Sequence, residues 1–117
     1  MNFLGNLFGP PVPTISALEL QEKLKFGKHP FLLDVRQLEE FRQGHIAGAK
    51  LIPLGELSQR MKELPEQREI VCVCASGHRS DQAARNLIAA GYKASSMKNG
   101  MIDWRRAKFL VKKGAAS

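Results

Sequence analysis

One short stretch of the chain combines a nucleophile, a glycine and an arginine, and it reads Cys74-Ala75-Ser76-Gly77-His78-Arg79-Ser80. The β-branched run 69–73 before it predicts a strand, and residues 81–90 after it predict a helix. Ligands of open parallel sheets bind outside the carboxyl ends of strands, and a helix start offers unpaired N–H groups and a positive dipole end. A thiolate is an anion, so this position favours a reactive cysteine. We interpret Cys74 as a nucleophile.

The residues around the cysteine have types that would assist such chemistry. Gly77 lets the backbone turn toward the sulfur, because it has no Cβ. Arg79 supplies a permanent positive charge, or it clamps the loop through a carboxylate such as Asp34 or Glu69. His78 is expected to donate a hydrogen bond to an anionic substrate rather than to act as a base.

Both cysteines also have structural interpretations. Cys74 could be a buried core residue, although loop-forming residues follow it, and Cys72 lies inside the predicted strand and is expected to be core and less accessible. A disulfide between the two would be strained at this spacing. No metal site is predicted from Cys72, Cys74 and His78, because the Cys-x-x-Cys spacing and a fourth ligand are missing.

Composition indicates one domain with its own hydrophobic core, since the chain has 117 residues and 44% hydrophobic content. The net charge is +7, and six basic residues against one acidic residue lie from Lys98 onward. We expect a solvated basic end; contact with an acidic partner or anionic lipid is the alternative, and no nucleic acid is expected. No signal peptide or membrane-spanning run is predicted, which favours the cytoplasm.

Predicted strands alternate with predicted helices along the chain, a pattern typical of an α/β fold with a parallel sheet. The predicted strands are 12–15, 31–35, 50–53, 69–73 and 92–97, and the predicted helices are 17–26, 38–42, 54–64, 81–90 and 101–109. Ser16 and Glu19 have the spacing of a capping box at the first helix. The expected division is a stub and linker at 1–11, a domain at 12–106 and a basic tail at 107–117.

The N-terminal stub has apolar residues at helical spacing, and prolines follow it; these are Phe3, Leu4, Leu7 and Phe8, then Pro10, Pro11 and Pro13. A helix this short is not stable alone in water. Residues 1–9 therefore either dock on their own domain, fray, or contact a partner, a second subunit or a membrane surface.

Five motifs in order resemble a single-domain rhodanese, a sulfurtransferase, over about residues 12–106. They are Leu33-Asp34-Val35-Arg36, Gly44-His45-Ile46-Ala47-Gly48-Ala49, Ile52-Pro53-Leu54, Cys74 to Ser80, and Gly91-Tyr92 with Asn99-Gly100-Met101 and Trp104. The resemblance implies a three-layer sandwich, in which a five-stranded parallel sheet has helices on both faces.

The resemblance also implies a transferase of the thiosulfate sulfurtransferase type that needs no cofactor. Cys74 would accept a sulfane sulfur from thiosulfate or a persulfide and pass it to cyanide, a thiol or a protein acceptor. The loop residues Ala75, Ser76, Gly77, His78 and Arg79 would cradle the persulfide. Asp34, Arg36 and His45 would hold the scaffold near that loop.

The resemblance leaves other functions open, because several groups of proteins with different functions have this fold. A related phosphatase group has one more loop residue between cysteine and arginine, whereas four residues separate Cys74 from Arg79 here. A non-catalytic interaction module of this fold usually lacks the cysteine. A persulfide carrier would keep the cysteine and differ only in its acceptor. Many members have a basic residue at the position of Ala75, so the chain is expected to bind an anionic donor less strongly.

Overall fold

The computed structural model describes residues 11–114 and has an α/β architecture built on one sheet. The strands are β1 (Thr14–Ile15), β2 (Phe31–Asp34), β3 (Lys50–Leu51), β4 (Ile70–Val73) and β5 (Ala94–Met97). All five pair in parallel, in the order β1-β5-β4-β2-β3. The predicted five-stranded parallel sheet is confirmed, and β4, which leads to Cys74, lies at its centre.

Within residues 11–114, four α-helices connect the strands and a fifth follows β5: α1 (Ala17–Lys25), α2 (Leu38–Arg42), α3 (Leu57–Arg60), α4 (His78–Ala89) and α5 (Gly100–Arg106). The predicted capping box is present at α1, because the Glu19 N–H donates to Ser16 Oγ at 3.0 Å and the Ser16 N–H donates to Glu19 Oε1 at 3.1 Å. This cap satisfies two N–H groups at the helix start.

Three of the predicted helices differ from the structure, and the one predicted over 101–109 ends already at Arg106. The helix predicted over 54–64 is wrong as a single element, because short 3₁₀ turns at Leu54–Glu56 and Met61–Glu63 flank α3. Such turns are common where a short helix is tightened at both ends. The helix predicted to start at residue 81 begins instead at His78, and Ile88, predicted to be inward, is 42% exposed.

Hydrophobic clusters cover both faces of the sheet, which produces the predicted three-layer sandwich. All four residues of β4 are buried, as expected for a central parallel strand with both faces covered. Residues Ile70 and Cys72 pack in the cluster with α3 and α4, and Val71 and Val73 pack in the cluster with α1 and α5.

The chain beyond α5 lies against the domain as far as it is described. Phe109 and Val111 pack on the cluster that contains Trp104, and Trp104 Nε1 donates to the Leu110 carbonyl oxygen at 3.0 Å. Lys112 forms an antiparallel bridge with His45. We call residues 107–114 the C-terminal segment.

The predictions about the N-terminal stub and about membrane-spanning segments have separate outcomes. The N-terminal stub at 1–9 lies outside the described residues, so its prediction stays open. Among residues 11–114, no helix has both the length and the apolar character needed to cross a membrane.

Candidate active site

Cys74 lies directly after β4, at the carboxyl edge of the sheet, and its side chain is fully buried. Its Sγ accepts hydrogen bonds from the Gly77 N–H at 3.0 Å and the Ser80 N–H at 3.3 Å. Gly77 reaches this position with φ +107°, a left-handed conformation, and it is the N-cap of α4. The loop therefore turns two backbone donors toward the sulfur, at the positive end of a helix.

Two serines complete the surroundings of the sulfur. The Cys74 thiol donates to Ser80 Oγ at 3.3 Å, and Ser80 Oγ donates to the Gly77 carbonyl oxygen at 3.1 Å. Ser80 Oγ and Ser96 Oγ of β5 are 2.7 Å apart, and both serines are fully buried. Sequence reasoning did not include these serines among the site residues. The position of Ser80 at the end of the loop motif was a usable signal, whereas Ser96 had none.

Two carbonyl oxygens of the cysteine loop, those of Cys74 and Ala75, accept hydrogen bonds from the start of α5. The Met101 N–H donates to the Cys74 oxygen at 2.8 Å, and the Ile102 N–H donates to the Ala75 oxygen at 3.2 Å. Gly100 adopts φ +53°, and a Cβ at this position would overlap the Cys74 carbonyl oxygen and the Ala75 backbone. Only glycine allows this close approach.

The remaining loop residues differ in exposure. Ser76 and His78 are exposed, with Ser76 Oγ 3.2 Å from His78 Nδ1, and Ala75 is partly buried. Within residues 11–114, the side chains of Ser76 and His78 form no hydrogen bond with the sulfur of Cys74, and the loop donors that reach it are the N–H groups of Gly77 and Ser80.

Arg79 forms a bidentate ion pair with Glu40 of α2, at 2.7 and 2.8 Å. The guanidinium of Arg79 holds the pKa of Glu40 well below its ordinary value, at about 2, and the carboxylate in turn raises the pKa of Arg79. The predicted partners were wrong, because Asp34 pairs with another arginine and Glu69 pairs with a lysine at the opposite edge of the sheet. The pair links α2, which follows β2, to α4, which follows β4.

The three predicted scaffold residues form a buried network beside this pair. Arg36 Nε donates to Asp34 Oδ1 at 2.9 Å, and Arg36 Nη2 donates to Asp34 Oδ2 at 2.7 Å and to the Gly44 oxygen at 2.9 Å. The His45 ring stacks on Phe41 at a centroid distance of 3.6 Å, with Nδ1 2.8 Å from the Phe41 oxygen. These contacts fix the loop between β2 and β3 next to the cysteine loop.

Cys72 does not differ from Cys74 in exposure, contrary to the expectation that it is less accessible, because both are fully buried. Burial raises the pKa of the Cys72 thiol to about 12, and the nearby Cys74 adds to this shift. Unlike Cys74, Cys72 lies within the sheet, where its backbone pairs with β2 and β5. Within residues 11–114, no group of three His, Cys, Asp or Glu side chains is arranged to hold a metal ion.

Comparison with known proteins identifies the family. The sequence profile of the rhodanese-like domain matches residues 16–107. The chain belongs to the rhodanese-like domain family. This match confirms the resemblance found in the sequence motifs.

Individual relatives of this rhodanese-like chain agree with the profile. It is 40% identical over 94 residues to a putative sulfur carrier protein, YrkF of Bacillus subtilis, covering 80% of this chain and 51% of YrkF. It is 33% identical over 93 residues to a putative sulfurtransferase, YtwF of the same organism, covering 80% of this chain and 90% of YtwF. The chain thus spans about half the length of the first relative.

A solved structure supports the fold of the rhodanese-like domain. The crystal structure of a rhodanese-related protein from Thermoplasma volcanium superposes with a TM-score of 0.80 at 30% sequence identity. The match covers 86% of this chain and 97% of that chain.

Proposed function

We propose that this chain is a sulfurtransferase that carries a sulfane sulfur as a persulfide on Cys74. The observation that supports this most directly is the pair of N–H donors, from Gly77 and Ser80, that converge on Cys74 Sγ at the carboxyl edge of the sheet. A structural cysteine needs no such donors, whereas a nucleophilic thiolate is stabilised by them. The names of its relatives agree with sulfur transfer.

The first step loads the sulfur. The Cys74 thiolate attacks the sulfane sulfur of the donor, a new S–S bond forms at Sγ, and the donor's own bond to that sulfur breaks. The leaving group departs with the electron pair, as a thiolate from a persulfide or as sulfite from thiosulfate. Loop N–H groups that are not bonded to carbonyl groups, including those in the first turn of α4, would bind the negatively charged outer sulfur.

The second step unloads it. A cyanide or thiolate acceptor attacks the outer sulfur, the S–S bond to Sγ breaks, and Cys74 leaves as a thiolate. The N–H donors of Gly77 and Ser80 stabilise this leaving group, since they already point at Sγ. The two steps need neither a redox cofactor nor a metal, because electrons and atoms balance between donor and acceptor.

The charges of the site favour a persulfide donor over thiosulfate. The guanidinium of Arg79 is engaged by Glu40, and that of Arg36 is engaged by Asp34. Ala75 provides no cation where a basic loop residue would stand. A dianionic donor therefore gains less from this loop than from one with a free guanidinium.

A carrier function is the second candidate, and the relative named as a putative sulfur carrier supports it. A carrier would use the same Cys74 persulfide and would pass the sulfur only to one protein. A phosphatase is disfavoured, because the loop from Cys74 to Arg79 has the shorter spacing.

Intact-mass spectrometry after incubation with glutathione persulfide or thiosulfate tests the proposal. We expect the wild-type protein to gain the mass of one sulfur atom and to lose it when cyanide is added. Cys74→Ser should gain none, because a serine hydroxyl does not hold a sulfane sulfur.

Cys72→Ser is the matched control, since it removes the neighbouring buried thiol from the same face of the sheet. It should keep the cyanide-labile sulfur while losing about 1–3 kcal/mol of stability from burial of a hydroxyl. A cyanide-labile adduct on Cys74→Ser, or its absence from folded Cys72→Ser, would overturn the assignment.

A further inference from the structure

The region from Lys98 to Lys113 carries most of the net positive charge of the chain. Six basic side chains and one acidic side chain lie in it, and all six basic residues are exposed. Of these six basic residues, only Arg106 has an ion-pair partner within residues 11–114, namely Asp103 at 3.8 Å, which is a long contact. The other basic side chains of the region, at residues 98, 105, 108, 112 and 113, form no ion pair within residues 11–114.

This basic region begins at the cysteine loop. The first N–H groups of α5 donate to the carbonyl oxygens of Cys74 and Ala75, so α5 starts beside the reactive sulfur. Ile102, whose N–H makes one of these bonds, is 48% exposed. We define the basic face as Lys98, Ile102, Arg105, Arg106 and Lys108, an exposed apolar residue among four cations.

The carboxylates of the neighbouring helix α2 are each matched by an arginine. Glu39 lies 3.9 Å from Arg42, and Glu40 is paired with Arg79. The C-terminal segment contacts the same helix, because the Gly114 N–H donates to the Arg42 oxygen at 3.0 Å. The cations of the α5 region without an ion-pair partner are therefore the charges that favour a partner that carries negative charge.

We infer that the basic face docks an acidic protein that brings its own thiol to the Cys74 persulfide. The inference rests on the proposed function and names the acceptor class. A protein fits better than a nucleic acid for two reasons: Ile102 offers apolar contact in the middle of the cations, and the transfer step requires a thiolate at the outer sulfur. That thiolate forms the new S–S bond as the bond to Sγ breaks.

Peptides with a single cysteine test the inference. In otherwise identical peptides, the cysteine is flanked by glutamates, by serines or by lysines. Each peptide serves as the sulfur acceptor from the full chain, which has first been loaded with a sulfane sulfur, at low ionic strength. Each rate is divided by the cyanide rate of the same protein. We expect Lys98→Glu/Arg105→Glu to lower this ratio for the glutamate peptide by about ten-fold or more, and to raise it for the lysine peptide. Comparing protein variants on one peptide cancels the peptide's intrinsic thiol reactivity.

The neutral variant Lys98→Gln/Arg105→Gln should give an intermediate ratio, and all differences should shrink in about 0.5 M salt, where screening is strong. The matched control is Lys28→Glu/Lys93→Glu, which makes the same change of charge before β2 and β5, at the edge of the sheet away from Cys74. It should leave the ratio within about two-fold of wild type, since both changes lie at the other edge of the sheet from Cys74, where a peptide bound at Cys74 does not contact them.

The outcomes separate the two proposals. Suppose that wild type transfers sulfur to cyanide, and that the basic-face variants give the same ratio of peptide rate to cyanide rate as wild type with every peptide. The docking inference is then overturned and the proposed function stands. Equal loss in the Lys28 and Lys93 control would also overturn it, because net charge alone would then explain the effect. A single-stranded oligonucleotide could also compete with the peptides. If it competes less well with the basic-face variants than with wild type, and if no peptide is preferred, the face is assigned to nucleic acid instead. No cyanide transfer at all would refute the proposed function.

Discussion

Glu40 forms an ion pair with Arg79, the arginine of the cysteine loop. The pair joins α2 to α4, two helices that are far apart in the sequence. Its pKa is lowered to about 2 by Arg79, so its charged form stabilises the folded state. The pair is about one-third exposed, and solvent reduces its contribution. The contribution is complete above the ordinary pKa of a glutamate and is lost as the pH falls through that value toward 2.

We predict that Glu40→Gln lowers the free energy of unfolding by about 1–2 kcal/mol near neutral pH, because Arg79 loses its anionic partner. The difference from wild type should fall by half or more by about pH 3, because Glu40 of the unfolded wild-type chain takes up a proton at its ordinary pKa while the folded protein keeps it charged. Urea unfolding at a series of pH values measures this.

Glu39→Gln is the matched control on the same helix, since Glu39 is exposed and its nearest cation, Arg42, is 3.9 Å away. It should change stability by less than about 0.5 kcal/mol at every pH. A difference for Glu40→Gln that stays constant from neutral pH to pH 3 would show that the ion pair is not its cause.

Sequence reasoning at this scale located the cysteine loop at the end of its strand but not the partners of the side chains in it. Gly77 was singled out for backbone freedom, and the structure has it at positive φ beside Sγ. Glu40 was missed because ion pairing depends on the distance between α2 and α4, which no spacing in the sequence encodes. Ser96 was missed for the same reason, since it comes from a strand 16 residues after Ser80.

At the scale of elements, the alternation of apolar runs predicted the order and type of every strand, because each strand is short and bounded by turn residues. Helix boundaries were less accurate. The start of α4 at His78 depends on the left-handed turn at Gly77, and the loop-like composition of His78, Arg79 and Ser80 concealed a first helical turn.

The junction between the cysteine loop and α5 depends on Gly100. We predict that Gly100→Ala destabilises the protein by about 2 kcal/mol or more, because it adds left-handed strain and pushes the Cys74 carbonyl away. Loading with sulfur should fall together with stability. Chemical denaturation and intact-mass spectrometry on the same sample measure both.

Gly55→Ala is the comparison for this prediction. Gly55 lies in a 3₁₀ turn with no atom within 4 Å of an added Cβ, and its φ is not in the left-handed region. It should change stability by about 0.5 kcal/mol at most and leave loading unchanged. Equal effects of the two substitutions would mean that close approach at Gly100 is unimportant.

At the scale of the whole molecule, the C-terminal segment bears on where the domain ends. The sequence suggested a tail from residue 107, because its basic charge resembles a solvated end. Periodicity could not reveal its contacts, since single side chains and one bridge, not a regular element, hold it to the domain.

We predict that Phe109→Ala lowers the free energy of unfolding by about 1–3 kcal/mol, because its ring packs edge-to-face on Trp104 at 5.1 Å. Leu110→Ala, at the next residue, is the control, since its side chain is 89% exposed and only its backbone oxygen is used. It should change stability by less than about 0.5 kcal/mol. Thermal and urea unfolding measure both substitutions. If neither changes the free energy of unfolding, the segment has no structural role.

The bonds from α5 to the carbonyl oxygens of Cys74 and Ala75 have a consequence for turnover. Because these oxygens accept hydrogen bonds from α5, the two peptide groups between Cys74 and Ser76 are held in place before any donor arrives. The entropy of ordering this part of the loop is lost once, when the chain folds, and in the proposed function it is not lost again in each round of transfer. The loop is therefore preorganised for the proposed loading and unloading of sulfur.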